Sequence, residues 1–221
     1  MKILVLNCGS SSIKYQVIDM KSATEYSLLV KGIIERIGLS DAILTHKPVG
    51  KPVYEVVRSI PDHTSGISLI LDALVDPEYG VLESISEIAA VGHRVAHGGE
   101  YFKDSALVDK SVKQKIEACF DLANLKGILA MENILPNTPQ VAVFDTSFHQ
   151  TMPAKNFMYA LPYKYYEDYR VRRYGFHGTS HKYVAQTACK LTGIDMNRSK
   201  IVTCHIGSGA SVAAILNGES Y

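Results

Sequence analysis

The chain has little charge imbalance, few cysteines and no long apolar segment. Its 23 Lys and Arg residues nearly balance its 22 Asp and Glu residues, which leaves no electrostatic basis for binding nucleic acid or an anionic membrane. The apolar run after Lys2 is short, so we expect no N-terminal signal peptide or anchor, and no later segment approaches the length of a membrane span. The cysteines have neither C-x-x-C spacing nor the density of a disulfide scaffold. We therefore expect reduced thiols and a cytoplasmic protein; the cysteines are Cys8, Cys119, Cys189 and Cys204.

Several sequence motifs for nucleotides and metals are also absent. No segment matches the G-x-x-x-x-G-K-[ST] phosphate loop or the G-x-G-x-x-G dinucleotide fingerprint. The histidines lack H-E-x-x-H spacing and have no cysteine partners at zinc-ligand spacing. These absences argue against a P-loop NTPase, a Rossmann enzyme and a zinc site.

What the chain does contain is a strand, a Gly/Ser-rich turn and a second strand, which occur once at each end. The first copy spans residues 2–18, and the second spans residues 200–215 before an Asn217-Gly218 hairpin turn. Successive amide groups and serine hydroxyls in such turns form a concavity that suits an anion. Either copy alone is equally consistent with an ordinary hairpin. Their recurrence, with Asn7 and His205 just before the turns, favours two loops that grip a polyphosphate.

The intervening sequence alternates between strand and helix patterns. It predicts strands at 28–37 and 53–60, a helix over 67–74, a strand at 88–91, helical stripes at 112–120 and 125–129, and a buried strand at 141–144. A strand-rich half restarts near Asp145. The pattern predicts an α/β protein with an N-terminal domain over 1–144, which carries the first loop, and the first part of a second domain over 145–221, which carries the second loop.

Three polar clusters lie where open α/β sheets place their ligands, at strand ends and helix starts. Arg94 lies in a glycine-flanked stretch with His93 and His97; it either caps a strand or binds phosphoryl or carboxylate oxygens. Asp145 follows an apolar strand and is either a helix N-cap or a carboxylate that holds magnesium or orients a nucleophile. His177 precedes a predicted helix that Thr179 or Ser180 can cap, so its position suits an anion, although a single histidine is more often structural.

Taken together, these motifs resemble the acetate kinase family along the whole chain and in the same order. The segments are Asn7-x-Gly9-Ser10-Ser11-Ser12-x-Lys14, His93-Arg94-Val95-Ala96-His97-Gly98-Gly99, Phe144-Asp145-Thr146-Ser147-Phe148-His149, Arg173-Tyr174-Gly175-Phe176-His177-Gly178-Thr179-Ser180-His181 and His205-Ile206-Gly207-Ser208-Gly209-Ala210-Ser211. The resemblance implies the duplicated fold of actin, Hsp70 and sugar kinases, with ATP between two domains. It also implies reversible phosphoryl transfer between ATP and acetate, with Mg²⁺ as cofactor, and a homodimer.

The resemblance also implies roles for individual residues. Arg94, Asp145 and His177 would act in catalysis, and Asn7 and Asp145 would help to hold magnesium. Arg94, Ala96 and Phe176 would contact the carboxylate substrate. The two loops would bind the nucleotide through Ser10, Ser12, Lys14, His205, Gly207, Ser208 and Gly209.

The sequence departs from the family pattern in four places. Family members continue well beyond the point equivalent to Tyr221, so we expect the 221 residues to be inactive by themselves. Between Phe120 and Asn124 the family has a turn whose histidine faces the phosphoryl site; either this turn is deleted, or the join between Ala123 and Asn124 spans missing residues. Ser208 replaces an expected asparagine. Ala96 replaces a residue that is often valine, which leaves space for an extra carbon. Propionate kinase is therefore one alternative, and an inactive nucleotide-gripping or dimerisation module is another.

Overall fold

The structure is a computed structural model that describes residues 1–22, 24–119 and 122–221. By packing, the chain forms two compact units. The first unit comprises residues 1–95 and 106–142, and the second comprises residues 96–105 and 143–221. The predicted domain boundary after residue 144 stays a prediction; the packing places residues 96–105 with the second unit, which no linear pattern indicated.

The first unit is built on a mixed sheet. Its strands are β1 (Lys2–Cys8), β2 (Ser12–Met20), β3 (Tyr26–Glu35), β4 (Ala42–Pro48), β5 (Tyr54–Arg58), β6 (Ile88–Val95), β7 (Ala106–Leu107) and β8 (Gln140–Phe144). Their order in the sheet is β5-β4-β3-β2-β1-β6-β8-β7. β1 pairs antiparallel with β2 and parallel with β6, so the first hairpin lies in the middle of the sheet.

Helices α1 (His63–Leu74), α2 (Lys110–Ala118) and α3 (Leu122–Ile134) belong to the same unit. Asp62 begins α1 as its N-cap, because its carboxylate accepts the Ser65 N–H. Every second side chain is buried from Leu4 to Cys8 in β1 and from Ile13 to Val17 in β2, which is the alternation expected of strands with one face on a core. The core side chains include Leu4, Leu6, Ile13, Val17, Ile67, Ile70 and Leu74.

Strand β4 is absent from the sequence prediction. His46, the fifth residue of β4, is fully buried. In a pattern of alternating hydrophobicity, a histidine is taken as a polar, exposed position. The Tyr15 hydroxyl donates to His46 Nδ1, and His46 Nε2 donates to the Tyr79 carbonyl at 3.2 Å. These two partners make burial of the ring tolerable, and burial lowers the pKa of His46.

The questioned join between Ala123 and Asn124 lies inside α3. Phe120 and Asp121, at the predicted position of the shortened turn, lie outside the described residues.

The second unit contains α4 (Ala154–Phe157), α5 (Lys164–Tyr169), α6 (Gly178–Thr192), β9 (Lys200–Ile206), β10 (Ala210–Leu216) and β11 (Glu219–Ser220). The last three strands form an antiparallel sheet in the order β11-β10-β9. The predicted hairpin turn is present, with positive φ values of 53° at Asn217 and 88° at Gly218. Both values fit the tight turn that an Asn-Gly pair favours.

Residues 96–105 belong to the second unit because specific contacts hold them there. The Gly98 N–H donates to the Thr146 hydroxyl at 3.0 Å, and the Phe102 and Phe144 rings stack with centroids 4.0 Å apart. Glu100 forms an ion pair with the buried Arg172 guanidinium. These contacts link the segment to the end of β8, to Thr146 just after it, and to Arg172, which follows α5.

Candidate active site

In the first unit, the sheet brings together Asn7 and Arg94. Asn7 in β1 is aligned with Lys14 in β2 and with Arg94 in β6. The Arg94 Nη1 group donates to the Asn7 Oδ1 atom at 3.3 Å. A guanidinium and an amide oxygen therefore lie side by side at the end of β1 next to the first loop, where they could contact an anion and a cation respectively.

The first loop, residues 9–11 between β1 and β2, is fixed by its backbone. The Gly9 N–H donates to the Ser12 carbonyl at 2.8 Å, and the Ser11 carbonyl accepts the Ile37 N–H. The His63 ring at the start of α1 donates from Nε2 to the Gly9 carbonyl at 2.7 Å. Ser10 and Lys14 are exposed and Ser12 is half-buried. The loop thus has a rigid backbone with hydroxyl and ammonium groups accessible to a ligand.

His93, the residue before Arg94, lies on the opposite face of β6. It is buried, and burial lowers its pKa to about 4. Its Nε2 atom lies 2.7 Å from the Gln140 side chain, and the amide orientation that satisfies every partner has Gln140 donating to His93 and to the Ile128 carbonyl. A neutral, buried ring of this kind is structural, so the cationic group at this end of β6 is Arg94.

In the second unit, Asp145 and His177 are held together. Asp145 follows β8 directly and is 2% exposed. Its Oδ2 atom accepts the His177 N–H at 3.3 Å, and its carbonyl accepts the Gly178 N–H at 2.9 Å. The N-cap of the short 3-10 turn that follows is Thr146, so the alternative role of Asp145 as that cap does not hold. The carboxylate instead contacts the segment that carries His177.

The start of α6 differs from the sequence prediction. His177 itself occupies the N-cap position, with a left-handed φ of 55°, and neither Thr179 nor Ser180 is the cap. Its side chain makes no capping hydrogen bond; its Nδ1 atom instead lies 2.8 Å from the Ser211 hydroxyl. A left-handed conformation is uncommon outside glycine; at His177 it turns the chain sharply where the N–H meets Asp145.

The second loop, residues 207–209 between β9 and β10, lies against His177. The His177 and His205 rings stack with centroids 4.0 Å apart and planes 15° from parallel. A Cβ atom added to Gly209 would lie 3.6 Å from His177 Cε1 and 3.8 Å from Nε2. Gly207, Ser208 and Gly209 are exposed. The Nε2 edge of His177 therefore faces an exposed glycine loop of the kind that binds phosphate.

Two neighbours of this cluster, His181 and Ser211, were not predicted as functional. The Ser211 Oγ atom lies 2.8 Å from His177 Nδ1 and 2.8 Å from His181 Nε2. Burial, with repulsion from nearby histidines, lowers the pKa of His181 to about 4. The antiparallel register aligns Ser211 with His205, so pairing the two predicted strands would have placed Ser211 beside the second loop.

The predicted acyl-binding residues Ala96 and Phe176 are both in the second unit. The His97 ring, next to Ala96 in the chain, meets the Phe176 ring edge-on at 5.7 Å and the Tyr174 ring at 4.5 Å. Phe176 is 43% exposed, and its carbonyl accepts from His149 Nε2 at 3.1 Å. An exposed aromatic face of this kind can bind a short aliphatic group.

The predicted metal ligands have the chemistry that magnesium prefers. Asn7 supplies an amide oxygen and Asp145 a carboxylate, and Mg²⁺ is usually held by one or two such oxygens together with water and substrate phosphates. Within residues 1–22, 24–119 and 122–221, no group of three His, Cys, Asp or Glu side chains could hold a metal ion by itself. In the same residues, no helix is long and apolar enough to cross a membrane.

The model of the acetokinase family matches residues 2–221. The chain belongs to this family. It is 53% identical to the acetate kinase of Caldanaerobacter subterraneus subsp. tengcongensis over the whole chain, and 55% identical to that of Phocaeicola vulgatus over 99% of it. Each alignment covers 56% of the relative, so the chain spans about half the length of the relatives that it matches. The first alignment has 226 positions, whereas this chain has 221 residues. Compared with the matched stretch of that relative, this chain therefore lacks some residues.

Solved structures agree with the sequence relatives. A crystal structure of Porphyromonas gingivalis acetate kinase matches with a TM-score of 0.93 and 45% identity, covering 99% of this chain and 56% of that one. A propionate kinase from Francisella tularensis matches with a TM-score of 0.87 and 36% identity, with the same coverage. The predicted family and the predicted α/β fold of mixed sheet and flanking helices are confirmed.

Proposed function

We propose that the product of the intact gene transfers the γ-phosphoryl group of ATP reversibly to acetate, giving acetyl phosphate and ADP. The proposal is carried by one arrangement in the second unit, in which His177 lies between the Asp145 carboxylate and the exposed loop 207–209. An imidazole and loop amides next to a carboxylate suit a phosphate and its magnesium ion. The family membership of the chain supports the same chemistry.

In this proposal an acetate oxygen attacks the γ-phosphorus, and the bond to the bridging oxygen of ADP breaks with its electron pair leaving on ADP. The transferring group carries negative charge on its oxygens, so catalysis consists mainly of positioning and electrostatic stabilisation. The Arg94 guanidinium and the His177 ring would donate hydrogen bonds to those oxygens. The bond between Arg94 and Asn7 orients the guanidinium.

The nucleotide phosphates would bind to the two loops, through Ser10, Ser12, Lys14, His205, Gly207, Ser208 and Gly209. Magnesium, when bound, would neutralise the charge of the polyphosphate. Asn7 and Asp145 are the residues that we propose as its protein ligands, and the His177 N–H fixes one carboxylate oxygen of Asp145. We further propose a cytoplasmic homodimer, on the basis of the family resemblance and the cysteine pattern.

The acyl acceptor is one of two related acids, acetate or propionate, and the size of the side chain at Ala96 bears on the choice. Ala96 directly precedes His97, whose ring meets the Phe176 ring edge-on. The small side chain of Ala96 would leave space for one more carbon than acetate has. Propionate is therefore the second candidate substrate. The similarity to a propionate kinase at 36% identity is compatible with this alternative, whereas the identities above 50% are to acetate kinases.

The test is a coupled assay of ADP formation with acetate, propionate and butyrate, using the product of the intact gene. We expect Mg²⁺-dependent turnover with the highest kcat/KM for acetate. A higher kcat/KM for propionate would instead identify a propionate kinase. Absence of turnover with every acid, in a protein that still binds ATP, would leave the nucleotide-gripping module as the correct interpretation.

A further inference from the structure

A chain of hydrogen bonds runs from the core of the second unit to His177. Thr203 Oγ1 lies 2.7 Å from His181 Nδ1, and Ser211 Oγ lies 2.8 Å from both His181 Nε2 and His177 Nδ1. His181 is 1% exposed and Thr203 is 5% exposed. Both nitrogens of His181 and one nitrogen of His177 are therefore engaged with hydroxyl groups rather than with solvent.

Two arrangements keep the Ser211 proton within this chain of hydrogen bonds. The Ser211 hydroxyl has one proton and two lone pairs, so in both arrangements it donates to one of its two imidazoles and accepts from the other. In the first arrangement, Thr203 donates to His181 Nδ1, His181 Nε2 donates to Ser211, and Ser211 donates to His177 Nδ1. In the second arrangement all three bonds are reversed. A neutral His177 then carries its proton on Nε2 in the first case and on Nδ1 in the second.

The surroundings of His177 favour the first arrangement. The Nε2 edge of the ring faces Gly209 in the exposed second loop, and the stacked His205 ring covers one face. His205 is itself held by a bond of 2.9 Å between its Nδ1 atom and the Ser180 hydroxyl. A lone pair on Nε2 would repel a phosphate oxygen, whereas an Nε2–H group would donate to it. Burial keeps His181 neutral by lowering its pKa, so His181 can accept at Nδ1 and donate at Nε2.

We propose that His181 is a positioning residue which, through the Ser211 hydroxyl, holds His177 in the Nε2–H tautomer so that a neutral ring donates to the transferring phosphoryl group. The hydrogen bond to the phosphoryl group rests on the proposed function. The tautomer of His177 does not, because it is a property of the unliganded protein. An orienting partner of this kind typically changes activity by about 10- to 100-fold when it is removed.

The tautomer is measured directly by long-range ¹H–¹⁵N correlation NMR on the intact gene product labelled at its histidines, with no ligand bound. His177→Gln identifies the His177 signals by their loss. We expect His177 to show a protonated Nε2 and an unprotonated Nδ1 at pH 7.5. A protonated Nδ1, in either the neutral ring or the imidazolium ion, would overturn the proposal whatever the variants do.

Three variants test the connection. Ser211→Ala removes the shared hydroxyl. His181→Asn retains a polar atom near the Nδ1 position, which faces Thr203, whereas His181→Gln retains one near the Nε2 position, which faces Ser211. We expect Ser211→Ala and His181→Asn to give a mixture of His177 tautomers and His181→Gln to preserve the wild-type tautomer. An unchanged tautomer in a folded Ser211→Ala protein would refute the proposal. Because Ser211 is only half-buried, its variant provides the test if the His181 variants do not fold.

Kinetics of the intact gene product then test the catalytic consequence. Ser211→Ala and His181→Asn should lower kcat by about 10- to 100-fold with little change in KM for the acid, because the affected bond forms in the transition state. His181→Gln should retain most of the activity. If the wild-type protein transfers no phosphoryl group to any acid, the proposed function fails while the NMR result still decides the tautomer. Equal kcat in all variants despite a changed tautomer would refute the catalytic part alone.

Discussion

Gly178 is the residue whose substitution should most clearly show how Asp145 and His177 are held together. A Cβ atom at Gly178 would lie 2.3 Å from the Asp145 carbonyl oxygen and 3.0 Å from Phe148 Cβ. Contacts this short do not persist, so in Gly178→Ala the start of α6 must move away from Asp145 by about 1 Å. The movement stretches the bonds that Asp145 accepts from the Gly178 N–H at 2.9 Å and the His177 N–H at 3.3 Å.

Two magnitudes follow for this variant. Overpacking of this kind costs about 1–3 kcal/mol of unfolding free energy, partly offset by the better helix propensity of alanine. A displacement of about 1 Å at a catalytic group can reduce turnover by about a hundredfold, so we expect kcat of the intact gene product to fall by this factor.

The assay is ADP formation with acetate, with thermal unfolding of the same samples as a check on folding. Gly92→Ala is the matched control, because a Cβ atom at Gly92 meets nothing within 4 Å, and it should change neither quantity appreciably. If Gly178→Ala kept wild-type kcat in a folded protein, the contact between α6 and Asp145 could not be what positions His177.

Three further predictions concern other parts of the protein. Ala96→Val should lower kcat/KM for propionate relative to acetate, by a discrimination of roughly 1–3 kcal/mol for one methylene; an unchanged ratio would mean that Ala96 does not contact the acyl group. Burial raises the pKa of Cys8 to about 12, so iodoacetamide at pH 8 should modify the exposed Cys204 and not Cys8 in the folded protein; rapid labelling of Cys8, followed by mass spectrometry, would contradict its burial. Burial lowers the pKa of His93 to about 4, so its stabilising contribution is complete above pH 6.5 and is lost as the pH falls towards 4, a change of roughly 3 kcal/mol. His93→Gln should therefore flatten the acid side of the stability profile measured by urea unfolding, and equal slopes in both proteins would show that another group is responsible.

The parts of the fold that could be predicted are those with a strong local signal. Alternating apolar residues define β1 and β2, and the Asn217-Gly218 pair specifies the turn between β10 and β11. Asn7 and Arg94 were singled out because each lies near the end of a predicted strand, where open α/β sheets place their ligands. The structure aligns the two residues in β1 and β6.

The parts that could not be predicted depend on tertiary contacts. β4 was missed because a buried, hydrogen-bonded His46 looks exposed in a hydrophobic pattern. Residues 96–105 join the second unit through Glu100 and Phe102, whose partners Arg172 and Phe144 are distant in sequence. The predicted N-cap of α6 was wrong because His177, in a left-handed backbone conformation, occupies the position expected for Thr179 or Ser180. His181 lies within one of the family motifs, but its hydrogen bonds to Thr203 and Ser211 depend on how α6 packs on β9 and β10.

The central claim is that the Arg94 guanidinium binds the phosphoryl group during its transfer. The most direct test is the kcat of Arg94→Ala in the intact gene product. Arg58→Ala is the matched control, since Arg58 is an exposed arginine of the same unit in β5. Removal of an arginine that stabilises a phosphoryl transition state lowers turnover by about a thousandfold or more, so we predict a loss of this size for Arg94→Ala and none for Arg58→Ala. A folded Arg94→Ala protein with near-normal kcat would contradict the account.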